Sequence, residues 1–260
     1  MHLRKLLAFC AAPALAVTAA CGGSQPSSES AAPSSPAAAT SGQKVDESKA
    51  GNITGKVAVE GALPKAEPIK MSADPVCMRE NKAGATSEAF IGKDGGLGNV
   101  FVYVKDGLGN YVWDIPTTAV KMDQDGCRYH PHVFGVRVGQ PIEIVNSDPT
   151  LHNVHALPKN NKEFNNGQPV EGMKFTATFT AKEVMVPFKC EVHGWMNAYV
   201  GVLDHPYFAV TNEAGTFELK TLPPGTYTIE AWHERLGPQT QTVTIGEKES
   251  KDVTFTFKMT

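Results

Sequence analysis

Cys190, His193 and Met196 recur at three-residue spacing in Phe188-Lys189-Cys190-Glu191-Val192-His193-Gly194-Trp195-Met196. His152 lies upstream in Asn146-Ser147-Asp148-Pro149-Thr150-Leu151-His152-Asn153-Val154. One thiolate, two imidazoles and a thioether form the His2Cys set with a weak axial Met that suits one-electron copper chemistry. Thiolate and thioether favour Cu(I), while imidazole accepts both oxidation states, so little reorganisation is expected when an electron arrives. Zinc is the bland alternative, but Met is a poor partner for it. A binuclear copper centre would need a second cysteine in the 190–196 loop, and the loop has none.

These donors must be placed by strands. From Ile53 onward the chain runs in short alternating stretches rich in Val, Phe, Thr and Tyr, separated by Gly, Pro, Asn and Asp clusters, which are strand and turn signals. Strands are expected near 53–59, 99–105, 133–138, 142–146, 175–179, 184–190, 198–203, 208–211, 216–219, 225–232, 239–245 and 252–257. Long helical periodicity is absent, so the class is all-β with sandwich architecture. Val184, Val186, Phe188 and Cys190 share parity, which continues an inward apolar face to the thiol. Parity also pairs His152 with Val154 and turns His155 to the other face, making His152 the expected fourth ligand and His155 the fallback or a group just outside the ligands.

The Cys-x2-His-x2-Met loop and His152-Asn153-Val154-His155 resemble the blue-copper cupredoxins, amicyanin above all and plastocyanin more distantly. The resemblance covers about residues 133–203. It implies a Greek-key β-sandwich holding one type 1 copper. It implies that Asn153, following the first histidine ligand, braces the Cys190 loop. It also implies that His193, with Gly194 and Trp195, forms an exposed apolar face through which electrons pass. Gly194-Trp195 replaces a proline-containing pair common in that loop.

A boundary is expected near Asp204-His205-Pro206. Beyond it, Gly215-Thr216-Phe217-Glu218-Leu219 and Leu222-Pro223-Pro224-Gly225-Thr226-Tyr227 resemble the carboxypeptidase-regulatory-like, or transthyretin-like, β-sandwich. The tail is short of a full sandwich, so its first strand is expected from either 198–203 or 53–59. The organisation read from the sequence is a leader at 1–20, a tether at 21–50, a cupredoxin domain at 51–204 and the second β domain at 205–260.

Arg4 and Lys5 precede the apolar run 6–17, and small residues lead to Cys21. This is the layout of a secretory leader, and its end resembles a bacterial lipobox in which Cys21 is acylated. Between Gly22 and Ala50, 8 Ser, 6 Ala, 3 Pro and 3 Gly occur among 29 residues, with Val45 the only branched aliphatic. Such a composition buries too little apolar area to offset its ordering entropy and reads as a disordered tether. The expected location is therefore outside the cytoplasm, on a membrane, through a lipid anchor. There, Cys77 and Cys127 are expected to form a disulfide. A second metal site at Cys127, His130 and His132 is disfavoured by the intervening Pro131.

The net charge of -3 argues against nucleic acid as a partner. No nucleophile–base set, phosphate-cradling glycine loop or pair of catalytic carboxylates emerges, so the chain is not expected to be an enzyme. The leading expectation is single-electron transfer between a redox donor and a redox acceptor. Copper delivery or storage is the alternative on the same residues, and surface adhesion or polysaccharide binding is the alternative suggested by the tail.

Overall fold

The computed structural model describes residues 42–259. The leader, Cys21 and the tether up to residue 41 lie outside the described residues. The elements in chain order are β1 (Gly51–Glu60), α1 (Pro75–Glu80), β2 (Phe101–Asp106), β3 (Val120–Asp125), β4 (Arg128–His130), β5 (Val133–Arg137), β6 (Pro141–Asn146), β7 (His152–Ala156) and β8 (Phe164–Gln168). They continue with β9 (Lys174–Thr178), β10 (Glu183–Lys189), β11 (Asn197–Leu203), β12 (Phe208–Val210), β13 (Thr216–Leu222), β14 (Gly225–His233), β15 (Gly237–Ile245) and β16 (Ser250–Lys258).

Two β-sandwiches share the chain. The first joins a sheet ordered β5-β11-β10-β7-β8 to one ordered β4-β3-β6-β9. Its core sets Val136, Val154, Val186, Phe188 and Val200 against Met122, Tyr129, Ile142, Ile144 and Phe179. The second joins β13-β1-β16 to β12-β2-β14-β15, around Ile53, Val57, Val102, Ile229, Phe255 and Phe257.

The linear division at residue 204 does not follow the sheets. β1 pairs with β13 on one side and runs parallel to β16 on the other. β2 lies between β12 and β14. Both strands fall within the 51–204 domain expected from the sequence, yet they complete the second sandwich. The tail supplies only five strands, and its central positions are filled from residues 51–106. Of the two donors expected for its missing strand, 53–59 takes that place, whereas 198–203 lies within β11 and pairs with β5 and β10.

β2 explains the joint between the sandwiches. Its sequence Phe101-Val102-Tyr103-Val104 is buried at every position, so both faces of the strand are covered. Val102 and Val104 point into the second core, while Phe101 and Tyr103 pack with Val133, Met185 and Leu203 of the first sandwich. Gly135 and Gly201, which pair across β5 and β11, make this approach possible. A Cβ on Gly201 would stand 2.2 Å from the Phe101 ring, and one on Gly135 would stand 2.4 Å from Phe208.

Two local expectations need correction. The inward row before Cys190 holds for Val186 and Phe188, but Val184 leaves it for the joint. The cause is an irregularity in the β10–β11 register together with a positive φ of 63° at Met185. The last residues of the expected tether are not loose either. Gln43 bridges Tyr111, Lys44 pairs with Asp114 at 2.6 Å, and the Lys248 amide donates to the Lys49 carbonyl. Backbone pairing compensates there for a composition poor in apolar side chains.

Candidate metal centre

Cys190 directly follows β10, and His193 and Met196 occupy the loop that returns to β11. Two backbone bonds close the loop: the Cys190 amide donates to the Met196 carbonyl at 3.1 Å, and the Met196 amide to the His193 carbonyl at 2.9 Å. His152 opens β7, the neighbour of β10. Adjacent strands thus bring residues from two distant stretches of sequence to one end of the first sandwich. Nitrogen atoms of His152 and His193 and the Cys190 sulfur lie within 4.8 Å of one another. All three residues are buried, as is Met196, which belongs to the same core cluster as Cys190.

The orientation of the imidazoles is informative. His152 Nδ1 and His193 Nδ1 face each other at 2.9 Å. The opposite nitrogens meet carboxylates: His152 Nε2 lies 2.8 Å from Asp148 Oδ2, and His193 Nε2 lies 3.0 Å from Asp74 Oδ2. Each Nε2–H is therefore committed outward, and the Nδ1 lone pairs turn inward beside the sulfur. Carboxylates behind imidazoles are the usual means of fixing the tautomer of a metal-binding histidine. Two inward lone pairs at this separation require a shared proton or a cation between them.

Electrostatics favour the thiolate. Burial alone would raise the Cys190 thiol, but the adjoining His152 and His193 rings, together with the Asn153 and His193 amides, bring it down to about 5. The His193 amide donates to Sγ at 3.3 Å. Burial likewise opposes the charged form of His152, but Asp148 and Cys190 outweigh it and the net direction is upward. Burial would raise Asp74 as well, yet donors from Thr150, His193, Val76 and Cys77 lower it to about 2.

Asn153 stands next to the thiol: its Oδ1 lies 3.2 Å from Cys190 Sγ and accepts the Glu191 amide at 2.7 Å. His155 is not in the site. Its ring nitrogens pair with Glu191 and Glu163, each at 2.6 Å, on the outward parity of β7. The expected exposed face of His193, Gly194 and Trp195 is also revised. Gly194 faces open space and Trp195 is half-buried, but His193 is only 2% exposed. Asp74 covers its outer edge, and Cys77 Sγ lies 3.7 Å from the same Nε2.

Cys77 and Cys127 are disulfide-bonded, and this link is part of the site's outer wall. Asp74 caps α1 by accepting the Val76 and Cys77 amides, while Asp148 accepts the Gly126 and Cys127 amides. Each histidine is thus tied through a carboxylate to one half of the disulfide. The Trp195 indole donates to the Cys127 carbonyl at 3.0 Å. Two other donor groups of comparable closeness, Asp74 with Cys77 and His193, and Cys127 with Asp148 and His152, each need a thiolate that the disulfide withholds. His130 and His132 do not join Cys127; His132 instead meets Glu234 and the Asn197 carbonyl.

Asp74 and Asp148 were not singled out from the sequence. Asp148-Pro149-Thr150-Leu151-His152 carries a visible i, i+4 pair, and Asp74-Pro75 is a helix-start signature. The contact of Asp74 with His193 spans 119 positions and has no local signal.

Residues 195–258 match the carboxypeptidase regulatory-like domain. The match begins inside the ligand loop and takes in β11, which the sheets place in the first sandwich, and it omits β1 and β2, which the sheets place in the second. The chain is similar in structure to cupredoxins. One is a purple cupredoxin from Nitrosopumilus maritimus, at 22% identity and a TM-score of 0.28, covering 32% of this chain and 98% of that one. A Cu(I) amicyanin variant aligns at 16% identity and a TM-score of 0.30, covering 54% and 96%. The copper-containing nitrite reductase of Thermus scotoductus aligns at 20% identity and 0.32, covering 35% of this chain but only 24% of the enzyme. No curated protein matches the chain.

Proposed function

We propose that the chain is a type 1 copper protein that carries single electrons between redox partners. The observation that carries this reading is the convergence of two inward imidazole lone pairs, at 2.9 Å, on a buried cysteine whose thiol is brought down to about 5. His152, Cys190 and His193 would hold the ion in a trigonal set, with Met196 as the weak axial donor. Copper supplies a one-electron couple when bound. The protein's own part is to fix both tautomers through Asp148 and Asp74, to keep the sulfur deprotonated, and to exclude water from the donors.

Coverage of His193 favours retention of the ion over its handover. Methionine- and histidine-rich tracts typical of exchange sites are absent from the sequence, which weighs the same way against delivery or storage. Exposed Met78, Leu151 and Val192 lie on the three segments that meet at Asp74 and offer apolar contact for a redox protein. Placement outside the cytoplasm, with a lipid anchor at Cys21, is part of the proposal and is supported by the disulfide.

Loading the purified protein with Cu(II) tests the reading. The expected result is an intense visible thiolate-to-copper band with one copper bound, abolished in Cys190→Ser. One bound copper without that band would overturn the type 1 assignment, and rapid transfer of the ion to an apo-acceptor would favour delivery.

A further inference from the structure

Met196 is the donor expected to bond most weakly, so its placement depends most on the protein around it. Cys190 and His152 sit on or beside strands of one sheet, and His193 is held by Asp74. Met196 borders a cleft of about 280 Å3 lined also by Trp195, Asn197, Tyr129 and His132. Met196 is buried, at 1% exposure, but an axial thioether bond is too weak to set its own geometry, so the groups around this cleft must hold it.

A polar link from the second sandwich ends at this point. Glu234 follows β14, at its turn toward β15, and its Oε1 lies 2.5 Å from His132 Nε2. The other ring nitrogen of His132, Nδ1, lies 3.1 Å from the carbonyl of Asn197, the residue after Met196. The Tyr199 amide donates to the His132 carbonyl at 2.9 Å, so the loop's exit is held by both ends of the histidine. The two side chains of the pair are only 6% and 7% exposed. The two ring nitrogens of His132 thus face a carboxylate of the second sandwich on one side and a carbonyl of the ligand loop's exit on the other.

A buried polar contact of this kind is weak evidence for stability, because taking both groups out of water offsets much of the attraction. Its geometry has a more specific consequence. We infer that Glu234, acting through His132, is a positioning residue for Met196, so that the second sandwich holds the axial side of the metal site in the first. This inference rests on the copper reading for its consequence, but the positioning itself is a property of the metal-free chain.

The experiment has a metal-free and a copper-loaded arm on the full chain, with methionine methyl groups labelled with carbon-13 and Met196 assigned by Met196→Leu. Glu234→Gln is compared with Lys105→Gln, which breaks a charge pair with Glu230 elsewhere in the second sandwich. In the metal-free arm, Glu234→Gln should shift or broaden the Met196 methyl resonance while Lys105→Gln leaves it in place. In the copper arm, Glu234→Gln should change the ratio of the thiolate-to-copper bands and move the midpoint potential, with Lys105→Gln at the wild-type values.

A Glu234→Gln protein that melts earlier yet keeps the wild-type Met196 resonance, band ratio and potential would overturn the inference, leaving the pair a purely structural one. If the wild type binds no copper with a thiolate band, the functional reading fails and the methyl resonance still decides the positioning. Should Glu234→Gln fail to fold, His132→Gln cuts the same link, and an unmoved Met196 resonance in that variant counts against it.

Discussion

Asp74 Oδ2 stands 3.0 Å from His193 Nε2 and closes the edge of the imidazole that would otherwise face solvent. The same carboxylate caps α1 through the Val76 amide at 2.7 Å and accepts Thr150 Oγ1 at 2.8 Å. Its two oxygens thus join a helix start, the loop before His152 and a copper-ligand candidate. Replacing it separates these roles. Asp74→Asn keeps a capping acceptor and is expected to melt within about 1 kcal/mol of wild type, whereas Asp74→Ala loses the cap and costs about 1 kcal/mol more. Both variants should bind copper roughly 10- to 100-fold more weakly, as outer partners of metal-bound histidines usually do. Competition against a chelator of known affinity measures this, and unchanged affinity in both variants would remove Asp74 from the site.

The disulfide makes a second prediction. It links Cys77 on α1 to Cys127 before β4, across a sequence separation of 50. Loop-closure entropy for that separation gives roughly 4 kcal/mol of stabilisation relative to an open chain. Cys77→Ala with Cys127→Ala should lower the urea midpoint accordingly. Because Asp74 and Asp148 each hold one half of the link by a backbone amide, copper affinity should fall together with stability. A double variant that is destabilised but binds copper as tightly as wild type would show that the carboxylates keep their places without the wall behind them.

The grouping of His152, Cys190 and His193 was legible in the sequence because most of its information is local. Cys190, His193 and Met196 fall on one turn after a strand, and the parity of His152 against His155 separates the buried ring from the one that meets Glu163 and Glu191 at the surface. What was not legible is long-range. β1 lies beside β16, with Thr54 and Asp252 bonded across 198 positions, and nothing in an alternating strand names its neighbour. The break at Asp204-His205-Pro206 between two motif-bearing stretches therefore suggests a cut at 204, while strand pairing interleaves the two sandwiches. Met185 shows the same limit on a smaller scale, since a single left-handed residue redirects Val184 without altering the alternating pattern.

Acid should loosen the second sandwich through two buried histidines. Burial brings His205 down to about 4 against the opposing pull of Asp204, and His233 down to about 4 against that of Glu234. Lys182 and Arg137 near His205, and His132 and Arg235 near His233, push in the same direction as burial. Each ring accepts a backbone amide at Nδ1, from Tyr207 and Arg235 respectively, both at 3.2 Å. Protonating Nδ1 would set two donors against each other. Since the folded value lies below the unfolded value of about 6.5, the unfolded chain takes up protons first. The stabilisation is complete above that value, is lost as pH falls from about 6.5 towards 4, and changes no further below. A shift of this size corresponds to about 3 kcal/mol per histidine at the acid limit. Urea unfolding at pH 7.5, 5.5 and 4.5 should show the decline, flattened in a His205→Gln, His233→Gln double variant. An equal slope in the two proteins would assign the acid sensitivity to other groups.

Deleting residues 205–260 is the natural way to ask what the tail does, and the sheets predict that it fails. β1 would lose β13 and β16, its neighbours on both sides, and β2 would lose β12 and β14. Phe101, Val102, Tyr103 and Val104, buried on both faces of β2, would keep their joint with the first sandwich but lose the second core. Unpaired edges that expose apolar side chains promote association. The truncated chain is expected to aggregate, with lost near-ultraviolet circular dichroism and little copper bound. A second deletion removing residues 51–60 as well does not rescue it, because β2 remains stripped of its partners. A soluble, monomeric 42–204 fragment with native dichroism and a full complement of copper would mean that the first sandwich is self-sufficient and that β1 and β2 are held by contacts other than their strand pairing.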